Sequence, residues 1–293
     1  MKGFSTVKAD KKQFAIYQAI YFNADLYLMY DWNARLEETA WTDECYFVLL
    51  DGKKIGGAII TEEQITYAFL IPPFSDRERF WNYLLKNFPK RKLMDILDID
   101  LPILTMFGYK SVETYQIMVR PSEVLEISLP DGFDWRPLNM DTDAAEFGKQ
   151  SADSYNGSIF YGKGYTGENN EPNTQDDEIA DAFEAIGIFT HKNMSMVIVE
   201  KAGNRIVASC AAGIGKDEKG IPRKNTHLRF MSVLPEYSGR GLAKFMIGNV
   251  VSQSFGFSQF VRLRVEIGNT AERLYRQMGF IAGARHTKMF LRQ

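Results

Sequence analysis

The sequence predicts an α/β (α+β) protein built from two similar units in tandem. Three observations predict it. Apolar strand-like and helix-like segments alternate along the chain. One order of elements (a hairpin, a strand ended by proline, a helix, a further strand) is found twice. Only the second copy has glycines between its proline and its helix. A chain of 293 residues is long enough for two domains or one large one.

The upstream copy begins with a hairpin, Tyr46 to Leu50 and Ile55 to Ile60, around Asp51-Gly52-Lys53-Lys54. The strand at 64–71 is ended by Pro72-Pro73, a helix runs from Asp76 to Asn87, and a strand covers Met94 to Ile99. Met106-Phe107-Gly108-Tyr109 echoes Met278-Gly279-Phe280 downstream. The Pro, Gly and polar content of Val119 to Glu123 and Leu129 to Gly132 marks a connection near residue 125. The expected domains are therefore 1–122 and 127–293.

Downstream, Trp135 to Leu138 reads as a short strand, Thr142 to Ser151 and 177–186 as helices, and Met194 to Lys201 with Arg205 to Ile214 as a hairpin. A strand at 228–234 stops at Pro235, which has no ladder donor. After Gly241, Leu242, Met246 and Val250 recur at helical spacing. Residues 260–267 alternate, with Val261, Leu263, Val265 and Ile267 on one face and Arg262, Arg264 and Glu266 on the other. Asn269 or Thr270 can cap the next helix, and Gly279 stops it. A last strand covers His286 to Leu291.

The stretch Ser238-Gly239-Arg240-Gly241-Leu242-Ala243-Lys244 lies at a helix start, where amides lack internal partners and the macrodipole is positive. Glycines let the backbone approach an anion, and Arg240 and Lys244 add positive charge. A phosphate or pyrophosphate is the natural guest. In the upstream copy Phe74-Ser75-Asp76-Arg77-Glu78 stands in its place, acidic and without glycine. That half is expected to hold no pyrophosphate.

Two segments, Val233-Leu234-Pro235-Glu236-Tyr237-Ser238-Gly239-Arg240-Gly241-Leu242-Ala243 and Asn269-Thr270-Ala271-Glu272-Arg273-Leu274-Tyr275-Arg276-Gln277-Met278-Gly279-Phe280, together resemble the GCN5-related N-acetyltransferases (GNAT). The resemblance implies two GNAT-like domains, each a mixed, mostly antiparallel twisted sheet flanked by helices, the first degenerate and the second binding acetyl-CoA. It assigns the pyrophosphate to the amides of Ser238, Gly239, Arg240, Gly241, Leu242 and Ala243 with Lys244 nearby. Ser238 stands where the family usually has Gln or Arg. It assigns the pantetheine arm to backbone groups of Met231 and Val233 and a nearby contact to Asn269. Tyr275 matches the tyrosine that protonates the departing CoA thiolate in many members. Where many members keep a glutamate as base, this chain has His227, whose ordinary pKa of about 6.5 suits the role; Glu266 is the second candidate.

Net charge is −2 with no basic tract, which argues against nucleic acid and anionic membrane as partners. No apolar run is long enough to span a bilayer, and the first residues lack the apolar core of a signal peptide. Cys45 and Cys210 read as reduced core residues, so a cytoplasmic protein without a metal is expected. Ser154 to Glu168, with four glycines among four aromatics, is either a mobile wall of the acceptor pocket or a solvated loop without a role. The acidic stretch that follows, to Glu178, favours a cationic amine. The implied activity is transfer of an acetyl or other acyl group from acetyl-CoA to a primary amine by direct attack. The alternatives are a non-catalytic acyl-CoA sensor or scaffold and an aminoacyl transferase of the peptidoglycan-bridge type. Acceptor and oligomeric state (monomer or homodimer) stay open.

Overall fold

The computed structural model describes residues 3–22, 32–33, 36, 42–155, 175–217 and 219–291. The chain forms two compact units, one of Met1–Ile117 with Ala282–Gln293 and one of Met118–Ile281. Labels below follow chain order through both.

The first unit comprises β1 (Phe4–Lys8), α1 (Lys11–Tyr21), β2 (Cys45–Leu50), β3 (Lys53–Ile60), β4 (Gln64–Leu70), α2 (Arg77–Asn87), β5 (Lys92–Leu97), α3 (Leu101–Met106), most of β6 (Tyr109–Pro121) and the last strand, β12 (Ile281–Leu291). Its sheet runs β1-β2-β3-β4-β5-β12-β6. Neighbours from β1 to β4 are antiparallel, β4 and β5 are parallel, and β12 is antiparallel to β5. Asp51 and Gly52, at φ +52° and +81°, make the tight β2–β3 turn. Val48, Ile65, Phe80, Trp81, Leu84, Leu93 and Met289 pack the core of this unit. β1, α1 and α3 have no counterpart among the elements expected from the sequence. β6 continues through Pro121, where a connection was expected to have begun.

The final strand departs from expectation as well. It was placed in the second domain, 127–293, but Ala282–Gln293 belong to the first unit. The pairing explains this: His286, Thr287 and Met289 lie opposite Leu97, Ile96 and Leu93 of β5, and all three are almost fully buried.

The second unit comprises β7 (Phe133–Pro137), α4 (Met140–Tyr155), α5 (Gln175–Gly187), β8 (Met196–Glu200), β9 (Ile206–Lys216), β10 (Pro222–Val233), α6 (Leu242–Ser254), β11 (Phe260–Glu266) and α7 (Ala271–Gln277). The sheet order is β11-β10-β9-β8-β7. β7 to β10 are antiparallel, and only β10 and β11 run parallel. α6 buries Leu242, Phe245, Met246, Ile247, Val250 and Val251, so its apolar side faces the sheet. Gly248 lets the connection come close: a Cβ there would sit 2.2 Å from Ile127 Cδ1.

Each unit thus has a short parallel strand pair. β4 and β5 are in register only at Gln64–Lys92 and Ile65–Leu93. β10 and β11 are in register from Asn225–Phe260 to Leu228–Leu263. Beyond those points the strands separate, and a helix N-terminus follows β4 and β10.

The two separations differ in content. In the first unit Thr66 Oγ1 donates to Asp95 Oδ2 at 2.7 Å, bridging the strands just where their ladder ends. The Tyr115 hydroxyl donates to Asp95 Oδ1, and the buried His286 ring stacks on Tyr115 at 5.4 Å. The helix start beyond is occupied too, because the Asp76 carboxylate accepts from the Arg79 amide at 3.0 Å. A carboxylate already fills the place an anion would take.

Candidate active site

In the second unit the corresponding helix start carries no side-chain cap. β10 ends at Val233, a 3-10 turn covers Pro235–Tyr237, and the chain enters α6 through Ser238 to Gly241. Gly239 has φ +76° and Gly241, the N-cap, has φ +84°, conformations that favour glycine. A Cβ on Gly239 would meet nothing within 4 Å, and one on Gly241 would lie 3.5 Å from Pro130 Cγ. The surface over this turn is therefore open. Phe245 donates its amide to the Gly241 carbonyl at 3.0 Å; the amides ahead of it are the orphan donors of a helix start.

Side chains around the turn are largely exposed. Ser238 donates its own amide to the Pro235 carbonyl at 3.1 Å, so its hydroxyl is what remains for a ligand. Arg240 folds back, donating to the Glu236 carbonyl at 3.1 Å with its guanidinium 4.8 Å from the Tyr237 ring centre. Lys244 is exposed one turn into α6. Leu242 is buried and belongs to the core, while Ala243 is half-buried; for both, only the backbone is available to a ligand.

β10 reaches this turn through a bulge. Its register with β9 slips between Leu228 and Phe230, after which Met231 lies opposite Cys210 and Val233 opposite Ala208. The Met231 carbonyl accepts from Tyr155 Oη at 3.3 Å. Beneath the bulge, Gln150 of α4 accepts from Ser209 Oγ at 2.5 Å and from Ser232 Oγ at 3.1 Å, and its amide nitrogen donates to Ser154 at 2.7 Å. Gln150, Ser209 and Ser232 are nearly fully buried. This network pins α4 to the end of β10; Gln150 carried no signal in the sequence beyond ordinary helical polarity, whereas Ser154 and Tyr155, expected to open the 154–168 loop, instead end α4.

Asn269 Oδ1 accepts from the Ala271 amide at 2.8 Å, so it is Asn269 rather than Thr270 whose side chain closes the start of α7. Tyr275 is buried on α7 with its ring 6.0 Å from Phe280. Gly279, at φ +84°, ends the helix.

His227 lies beside Arg262 across the parallel ladder, one residue before the strands part. It is half-buried, with Phe189 6.4 Å from its ring. Burial, then Arg262, Arg229 and Arg264, hold its pKa well below the usual 6.5. The imidazole is accordingly neutral at physiological pH and can accept a proton. Glu266 ends β11 on the same face as Arg262 and Arg264, four residues, or about 13 Å of strand, beyond the residue paired with His227. The two candidate bases thus stand at different depths, His227 at the ladder's end and Glu266 at the open end.

Burial raises the Cys45 thiol to about 11 and the Cys210 thiol to about 12. Both are free cysteines and buried, as inert core thiols are. Among the described residues no group of three His, Cys, Asp or Glu side chains is placed to hold a metal, and no helix is long and apolar enough to cross a membrane. Residues 156–168 of the expected pocket wall, and 169–174 of the acidic stretch after it, lie outside the described residues.

Comparisons with known proteins agree with this geometry. Residues 163–280 match the acetyltransferase (GNAT) family. No curated protein matches the chain significantly. Among solved structures, a GCN5-related N-acetyltransferase from Sphaerobacter thermophilus aligns over 98% of this chain and 94% of its own, at 16% identity and a TM-score of 0.65. A GNAT-family acetyltransferase from Colwellia psychrerythraea aligns over 98% of both chains at 11% identity and a TM-score of 0.59. A tandem GNAT protein from the clavulanic acid biosynthesis pathway covers 98% of this chain and 97% of its own, at 8% identity and a TM-score of 0.54. The doubled fold is shared along the whole chain, and the family match lies in the downstream half.

Proposed function

We propose that this protein acts as a GNAT-type acetyltransferase, moving an acetyl group from acetyl-CoA to a primary amine with the second unit only. The observation that carries this reading is the separation of β10 from β11 leading to an uncapped, glycine-bearing start of α6. The pyrophosphate would rest on the amides of Gly239 to Ala243 and the Ser238 hydroxyl, with Arg240 and Lys244 beside it. The pantetheine arm would run along the unpaired edge of β10 at Met231 and Val233, adding a short strand.

In the reaction the amine nitrogen attacks the thioester carbonyl carbon. A carbon–nitrogen bond forms and the carbon–sulfur bond breaks. His227, neutral before the reaction, takes the proton from the amine directly or through water. Tyr275 gives its phenolic proton to the departing thiolate. An ammonium acceptor gives up two protons on becoming an amide: the first passes through His227 to solvent, and the second, lost from nitrogen as the carbon–sulfur bond breaks, restores Tyr275, so charge and atoms balance.

The test is release of free CoA thiol from acetyl-CoA across a broad panel of primary amines. Amine-dependent release supports acetyl transfer. Acetyl-CoA binding with no release across the panel would instead favour a sensor. Turnover of aminoacyl-tRNA without any acetyl-CoA turnover would replace the reading by aminoacyl transfer, which the open anion site at α6 argues against.

A further inference from the structure

On the face of β10 and β11 that carries His227, the charged side chains are unevenly distributed. Arg262 sits directly across the ladder from His227, and Arg264 is two residues further along the same face. Arg229 leaves β10 at the bulge, exposed, with its guanidinium 5.9 Å from the Phe230 ring centre. All three lie close enough to His227 to lower its pKa through space. Glu266 is the acidic residue of β11 on this face. The three arginines lie about the ladder's end, and Glu266 lies beyond them at the open end of β11.

This is costly for an enzyme whose acceptor is only a cation. Bringing an ammonium group to three arginines is unfavourable, and the arginines also weaken the base that must deprotonate it. The arrangement makes sense if the acceptor has a second, negatively charged group. A guanidinium offers five N–H donors in a planar fork, so one already engaged with a protein carboxylate keeps donors for another anion. Arginine matches carboxylate and phosphate oxygens in pairs.

We propose that the acceptor amine also carries an anionic group, a carboxylate or a phosphate, and that Arg229, Arg262 and Arg264 hold it beside the end of the β10–β11 ladder. This inference rests on the acetyltransferase reading above. It replaces the expectation of a simple cationic amine drawn from the acidic segment before α5. It also has a kinetic consequence: a bound anion offsets the arginine charges and moves His227 back towards its ordinary basicity. The acceptor then strengthens its own base on arrival.

The experiment is isothermal titration of the CoA-loaded protein with matched acetylated products that differ in one charge. N-Acetylglycine is compared with N-acetylglycinamide, and N-acetylglucosamine 6-phosphate with N-acetylglucosamine. The expected result is at least tenfold tighter binding of one anionic member than of its neutral partner. The carboxylate and phosphate arms separate the two anion chemistries. Arg229→Gln and Arg264→Gln, both at exposed positions, should each reduce that preference at least fivefold, and Arg262→Lys should reduce it less than Arg262→Gln. Absence of binding by both anionic probes would overturn the proposal, as would a preference undiminished in all three glutamine variants. Titration of each variant with CoA alone keeps the two readings apart. Unchanged CoA affinity with lost anion preference supports the inference, whereas failure of the wild type to bind CoA defeats the acetyltransferase reading itself.

Discussion

Gly241 concentrates the account into one position. Its φ of +84° disfavours any side chain, and its neighbourhood is where negative charge must be welcomed. Gly241→Asp should fold, since the turn is exposed, but lose acetyl-CoA binding; thermal melts with and without the ligand check this. Tyr275→Phe should lower kcat about 100-fold or more with little change in acetyl-CoA affinity, as expected for a lost proton donor. His227 makes the pH prediction. Its pKa is held below 6.5 by burial and by Arg262, Arg229 and Arg264, so the rising limb of kcat/KM should lie on the acid side of 6.5. Replacing Arg264 by Gln removes a positive neighbour, which favours imidazolium and should move that limb to higher pH. A limb that does not move in Arg264→Gln, and persists in His227→Ala, would hand the role of base to Glu266 or water. The stability consequence has the same sign. The unfolded chain binds this proton more readily than the folded one, so His227 favours unfolding as pH falls below about 6.5.

The elements around the site were readable from sequence in unequal degree. α6 and β11 are plain because periodicity and alternation are strong there: α6 starts at Leu242, directly after Gly241, and β11 covers Phe260–Glu266 against an expected 260–267. β10 is longer, starting at Pro222 rather than Leu228, because its first half is polar, with even its buried residues, Asn225 and Thr226, carrying no apolar signal. α1 is not evident from the sequence: Phe14, Ala15, Gln18 and Ala19 are buried, but Ile16, Ile20 and Tyr21 are exposed and blur the stripe. The bulge that brings out Arg229 could not be read at all, since it depends on register against β9. At this scale Gly248 offers a stability test. Gly248→Ala drives a methyl into Ile127, and should cost about 1–3 kcal/mol in chemical denaturation. A neutral result would mean that the 122–132 connection yields freely.

For the whole molecule, the doubled pattern was legible, and so was the degeneracy of the first copy. The physical basis is visible in Asp76 capping α2, where the second copy leaves α6 open. What no pattern could reveal was where β12 would pair: a half-buried strand carries no record of its partner. Because His286, Thr287 and Met289 are buried within the first unit, removing 282–293 should destabilise that unit. Proteolysis of residues 42–117 should then accelerate first, and equal protection with and without the last strand would contradict this.

With the helix start after β10 open and the one after β4 capped by aspartate, the chain should bind one acetyl-CoA, in its second unit. Isothermal titration of acetyl-CoA into the wild type and into Gly241→Asp tests this most directly. The account predicts one site per chain in the wild type and none in the variant, with a stabilisation of about 2.7 kcal/mol at a hundredfold excess over Kd in the wild type alone. No heat or thermal shift at millimolar acetyl-CoA, or equal binding by the variant, would contradict it.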